Sequence, residues 1–185
     1  MFEKVKALPA SLDWRARGAV TPVQDQGQCV AAIEGLVKIK TGNSVSLSEQ
    51  QIIDCISTSD ACNGGWMEQV FEFVKKNRGL ASDKNYPYRA KKKWNCSGIK
   101  SSSQLAITFY KNGILTGKCG TNLNHIALVV GYGTSIDGTK HWILKNSWGP
   151  DWGEKGYITD IRVQRGIKVR EGMCGIAKHA SYPTK

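Results

Sequence analysis

The apolar residues change their spacing once along the chain, and that change limits the possible folds more than any other feature. In the first half the spacing is helical. Ile33, Leu36, Val37 and Lys40 follow a helical period, with Gly42-Asn43 as the stop. Ser46 or Ser48 can cap a second short helix carrying Ile52, Ile53 and Ile56. "NGGWMEQVFEFVKKNRG" sets Met67, Val70, Phe71 and Val74 on one face and ends at Gly79, which predicts a third. Beyond "YPYRAKKKWNCSG" the texture changes. "LAITFY", "HIALVVGYG", "KHWILKNSWG" and "GYITDIRV" are short β-branched and aromatic runs between glycine-bearing turns, the pattern of antiparallel strands.

Helices first and strands second predict an α+β architecture rather than a repeating βαβ unit. At 185 residues the chain is long enough for one domain or for two small lobes sharing a cleft. The expected division is a mainly helical lobe over 1–100, N-terminal arm included, and a mainly β lobe over 101–185. "SGIKSSSQ", at 97–104, is the most linker-like stretch.

Composition removes several function classes. Apolar residues are 41% and charged residues 22%, an ordinary globular balance. No apolar run approaches the roughly 20 residues of a membrane span, and "MFEKVKALPASLDW" lacks the apolar stretch of a signal peptide. The net charge is +11, but apart from "RAKKKWNC" the basic residues are scattered, so neither nucleic acid nor a membrane is an expected partner. Six cysteines (Cys29, Cys55, Cys62, Cys96, Cys119, Cys174) show no C-x-x-C pair, and His125, His141 and His179 are far apart, so no metal and no cofactor is expected. An even, widely spaced set reads as three disulfides and an oxidising compartment.

Three polar features could carry chemistry. Gln26 and Cys29 stand in a turn leading into the first helix, His125 follows "GTNLN" at the start of a strand, and Asn146 lies in "KNSWG" at the end of another. A helix N-terminus and an imidazolium favour a thiolate. An amide fixes the imidazole tautomer, and a glutamine can donate to an oxyanion. Each feature also has a bland reading, as a surface histidine or a turn with a packed tryptophan.

"LPASLDWRARGAVTPVQDQGQC", "SLSEQQIIDC", "CNGGWMEQVFEF", "YPYRA", "GILTGKCGTNLNHIALVVGYG", "HWILKNSWGPDWGEKGYI" and "MCGIAKHASYPTK" together resemble papain-like cysteine peptidases, plant members above all. The blocks occur in the family's order over nearly the whole chain. The resemblance implies a helical left lobe packed on an antiparallel β-barrel right lobe, with the cleft between them. It matches His125 to the general base, Asn146 to its orienting residue and Gln26 to the oxyanion side chain. Trp148 and Trp152 match the aromatic pair over the His–Asn bond, and Gly64 and Gly65 the edge that pairs with substrate backbone. Trp66, Met67, Ile126 and His179 match the pocket for the substrate residue two before the cut. The bridges implied are Cys29–Cys62, Cys55–Cys96 and Cys119–Cys174. The implied partners are a peptide or protein substrate, or a cysteine-peptidase inhibitor, bound by a monomer. The implied location is secreted, vacuolar or lysosomal.

Two segments of that pattern are missing. The nucleophile signature is C-G-[SA]-C-[WY], yet "QC" at Gln28-Cys29 runs straight into "VAAIEG", so about eight residues resembling "GSCWAFSA" are absent, the nucleophile among them. Cys29 stands three residues after Gln26, where the family places the bridging cysteine. Six cysteines is also the family's set of three bridges less its free thiol. His125 lies 96 and Asn146 117 residues beyond Cys29, against roughly 130 to 150 in the signature. About three dozen residues are therefore lacking, between "NCSGIK" and "FYKNGIL". Eight helical residues span about 12 Å and three extended ones reach about 10 Å, so residues 30–32 must stretch or the helix must shift. A lost strand would leave an open sheet edge and a less stable fold.

Four readings remain open at this point. One is an inactive peptidase domain able to bind a peptide or inhibitor. A second is an active peptidase using Cys29 with His125 and Asn146. A third is a basic binding module, and a fourth a truncated or mis-spliced reading frame.

Overall fold

A computed structural model describes residues 7–23, 28–56, 67–89, 110–115, 119–120, 122–123, 125–162 and 171–183, with backbone alone at 28, 29 and 159–162. Its elements run β1 (Leu12–Asp13), α1 (Gln28–Thr41), α2 (Glu49–Cys55), α3 (Met67–Asn77), β2 (Ile114–Leu115), β3 (Leu128–Thr134), β4 (Lys140–Lys145) and β5 (Tyr157–Arg162). The chain is therefore α+β, with its helices in the first half and all but one strand in the second. The proposed boundary at 97–104 and most of "LAITFY" lie outside the described residues.

The helices begin and end for local reasons. α1 stops at Gly42, whose φ of 76° is left-handed and whose N–H bonds Lys38 O at 2.9 Å. α2 is capped by Ser48, whose Oγ accepts from Gln51 N at 3.0 Å. α3 ends through Arg78 (φ 60°) and Gly79 (φ 135°), and Gly79 N–H returns to Val74 O. Residues 30–32 are helical and not stretched. Helix α1 begins at Gln28, which makes Cys29 its second residue. Ile33, Ile56 and Val70 bring the three helices together, with Ile52, Phe71 and Leu80 against them.

The strands form a five-stranded sheet in the order β1-β3-β4-β5-β2. β3, β4 and β5 pair antiparallel, as does β1 with β3. β2 departs from the expected pattern, because Ile114 and Leu115 run parallel to Asp160 and Ile161. The N-terminal arm, grouped with the helical half from the sequence, contributes β1 to the sheet. It comes so close to β3 that a Cβ on Gly131 would strike Leu12 O, so glycine is the residue that fits there. Arg15 grips Asp13 through two nitrogens and lies over the Tyr157 ring at 4.8 Å, which ties the arm to β5 as well.

Behind the sheet, Tyr110, Leu144, Ile158, Met173 and Cys174 form a core with Trp142, Trp148 and Trp152 packed on it. A disulfide joins Cys119 to Cys174 across 55 residues. Cys55 at the end of α2 is a free, exposed thiol, and Cys96, the partner the resemblance implied for it, lies outside the described residues. Among the described residues no helix is long and apolar enough to cross a membrane.

Candidate active site

The β3–β4 register builds the site. Leu128 pairs with Lys145, so His125, three residues before β3, and Asn146, one residue after β4, come to the same end of the hairpin. His125 Nε2 lies 2.7 Å from Asn146 Oδ1. An amide oxygen can only accept, so Nε2 carries the proton and Nδ1 is left as the basic nitrogen. Asn146 is 1% exposed and is itself held by its N–H to Gly156 O at 2.9 Å. Gly156 needs to be glycine: its φ is 86°, and a Cβ would run into the Val23 side chain.

Aromatic rings cover the pair. Trp148 lies 4.7 Å from the His125 ring at a tilt of 34°, and Trp152 meets Trp148 edge-on at 4.9 Å. Tyr110 backs Trp152, while its hydroxyl and the Gly113 N–H both donate to Glu154 Oε1. Burial under these rings lowers the His125 pKa below 6.5, and the Asn146 bond opposes that shift. The imidazole is therefore a neutral, oriented base at neutral pH, suited to taking or giving a proton at Nδ1.

A second group joins the C-terminal segment to α3. His179 Nε2 lies 3.1 Å from Glu68 Oε1, Ser181 Oγ donates to the same oxygen, and Ser181 Oγ also reaches Met67 Sδ at 3.9 Å. Ile126 follows His125 in the chain and is half-buried. Of the other site residues, Gln26, Cys62, Gly64, Gly65 and Trp66 lie outside the described residues, and Cys29 is described by its backbone alone. Among the described residues, no group of three or more His, Cys, Asp or Glu side chains is arranged to hold a metal.

Sequence reasoning missed a buried polar junction beside Asn146. Lys145 Nζ donates to Thr21 Oγ1 at 3.1 Å, and Thr21 Oγ1 donates to Glu34 Oε2 at 2.6 Å. The available signal was a lysine inside the apolar run "HWILKN" and a glutamate inside "AAIEGLV".

The helical half, the sheet and a histidine–asparagine pair under two tryptophans are the frame of a cysteine protease of the papain class. A family model described as papain family cysteine protease matches residues 8–108 and 98–184, and the chain belongs to that family. It is 45% identical over 228 residues to vignain of Ricinus communis and 44% identical over 230 to vignain of Vigna mungo. Each alignment covers 100% of this chain and 62% of the relative. The chain thus spans less than two thirds of the length of these curated relatives. Among solved structures it is similar to the Amb a 11 cysteine protease, a ragweed pollen allergen in its proform. That match has a TM-score of 0.82 and 36% identity, over 95% of this chain and 65% of that one. It is also similar to the bromelain protease from Ananas comosus in complex with the E64 inhibitor. There the TM-score is 0.76 and the identity 37%, over 92% and 96% of the two chains.

The alignments also bear on the two missing segments. In the Ricinus communis comparison, 228 aligned positions against 185 residues leave 43 positions opposite no residue of this chain. The family model matches in two pieces that overlap at 98–108, within the stretch where the sequence led us to expect the longer segment to be lacking.

Proposed function

We propose that this chain is a papain-type peptidase domain that retains the acid–base half of the machinery and lacks the nucleophile, so that it binds a peptide segment or an inhibitor without cutting it. The observation that carries this reading is the passage from Gln26 through Cys29 directly into "VAAIEG". It leaves the bridging cysteine in its family position and none three residues on. In an active relative a thiolate attacks the peptide carbonyl, the oxyanion is held by hydrogen-bond donors, and the imidazolium protonates the leaving amine. Here His125 and Asn146 would hold the base in place with nothing to activate.

In this reading Gln26, Gly64, Gly65, Trp66, Met67, Ile126, Trp148 and His179 line what remains of the cleft. The Cys119–Cys174 bridge supports an oxidising location, secreted or vacuolar. The test is to insert Gly-Ser-Cys-Trp-Ala-Phe-Ser-Ala after Cys29 and assay both chains on a fluorogenic peptide. Turnover only in the longer chain supports the reading, and turnover in the native chain sinks it.

One observation favours a second reading, in which Cys29 is the nucleophile. As the second residue of α1 it stands at the positive end of the helix, which favours a thiolate. Alkylation of the native, unreduced protein across a pH series, read by intact mass and peptide mapping, separates the two. Rapid labelling of Cys29 well below the ordinary thiol value of about 8.5 selects this second reading.

A further inference from the structure

Glu154 stands in a tight turn between the tryptophans of the site and β5. The turn is closed by its own backbone. Glu154 N–H donates to Tyr157 O at 3.0 Å, Tyr157 N–H to Glu154 O at 3.1 Å, and Gly156 N–H to Trp152 O at 2.7 Å. Lys155, the next residue, has a φ of 56°, a left-handed conformation that a lysine keeps only where its surroundings hold it. Two parts of the site depend on this turn. Trp152 opens it and meets Trp148, the ring beside His125, edge-on. Gly156, near its end, offers the carbonyl that accepts from Asn146 N–H at 2.9 Å.

The Glu154 side chain reaches another part of the molecule. Its Oε1 accepts from the Tyr110 hydroxyl at 3.1 Å and from Gly113 N–H at 2.7 Å, two charge-assisted bonds on one oxygen. Both donors stand just before β2, where the chain resumes after the stretch expected to lack the longer family segment. Tyr110 is firmly seated: it is 6% exposed, packs in the core with Leu144, Ile158 and Met173, and its ring lies 5.8 Å from that of Trp152. One carboxylate thus spans the gap between this anchored segment and the turn that serves the site.

We propose that Glu154 is a positioning residue for His125. By holding Tyr110 and Gly113 it fixes the turn at 152–157, and through that turn both the tryptophan cover and the backbone of Asn146. Without its carboxylate the turn loses its tie to Tyr110, Trp152 loses its backing, and Trp148 no longer shields the imidazole. This role requires only that His125 and Asn146 face each other under the rings, so it holds whether or not the chain cleaves peptides.

The test is an NMR titration of the His125 ring protons in the whole chain, with nuclear Overhauser contacts between the His125 and Trp148 rings recorded alongside. Burial is the larger influence on His125 and lowers its pKa below 6.5, while the Asn146 bond raises it. Glu154→Ala relieves that burial, so it moves the titration up toward 6.5 and weakens the ring contacts. Glu154→Gln keeps an oxygen for Tyr110 and Gly113 but drops the charge that faces Arg15, and leaves both readouts at their native values. An unmoved titration in folded Glu154→Ala overturns the proposal. So does a Glu154→Gln chain that titrates like Glu154→Ala, because the charge and not the pair of hydrogen bonds would then hold the turn. Should Glu154→Ala fail to fold, Glu154→Asp takes its place, with a carboxylate one methylene short of both donors. An upward shift in that variant supports the proposal, and a native titration overturns it.

Discussion

Asn146 Oδ1 accepts a hydrogen bond from His125 Nε2 at 2.7 Å, while its own buried Nδ2 has no partner among the described residues. The amide thus orients the imidazole at the cost of one unsatisfied donor, an arrangement that pure stability would not select. Replacing it changes the base in a defined direction. Asn146→Asp puts a carboxylate against the ring and raises the His125 pKa by about one to three pH units. Asn146→Ala removes the bond that opposes burial and lowers it further. An NMR titration of the His125 ring proton reads both; equal values in the two variants would count against the geometry.

Stability should respond to pH through two groups with opposite signs. Glu49 has its folded pKa raised from 4.5 to about 7, so the folded state holds the extra proton in that window. Its contribution is complete below 4.5 and is lost as pH rises through about 7. His125 has its folded pKa below 6.5, so the unfolded state binds the extra proton and stability falls as pH drops through that region. Below 6.5 the two effects oppose each other, and above it only Glu49 still titrates, so urea midpoints should fall as pH rises from 6.5 through about 7.

Ser48 joins a helix cap to a long-range contact. It is 0% exposed, its Oγ accepts from Gln51 N at 3.0 Å, and it donates to Tyr86 O at 2.6 Å. Ser48→Ala removes the cap and leaves the Tyr86 carbonyl one donor short, a loss of about 1–3 kcal/mol by urea unfolding. A change under a few tenths of that would mean that other donors replace the serine.

The Cys119–Cys174 bridge closes a 55-residue loop. Loop entropy assigns such a bridge about 4 kcal/mol, so Cys119→Ala together with Cys174→Ala should lower the unfolding free energy by up to that amount. Alkylation of the native protein should label Cys55, which is free and exposed, and leave Cys119 and Cys174 untouched until reduction. Labelling of Cys174 without reductant would contradict the bridge.

The sequence by itself determined the three helices and the main strands, because their signals are local. Gly42, Ser48 and Gly79 mark helix ends through their own backbone preferences, and the runs at 128–134, 140–145 and 157–162 need only β-branched and aromatic side chains. His125 and Asn146 were legible as candidates through the blocks "GTNLNHIALVVGYG" and "KNSWG", which resemble the family's, and the loss around Cys29 through the broken C-G-[SA]-C-[WY] pattern. Only the tertiary structure decided which residues meet. β1 joins the sheet through contacts made 120 and 118 positions away, Leu12 with Tyr132 and Asp13 with Gly131, and β2 lies parallel to β5. The buried Thr21–Glu34–Lys145 chain unites a loop, a helix and a strand end. In sequence these are a threonine and two charges set inside apolar runs, with nothing to say that they meet. Their burial follows from how the helical half rests on the sheet, and that packing sums many weak contacts between distant residues which no local pattern encodes.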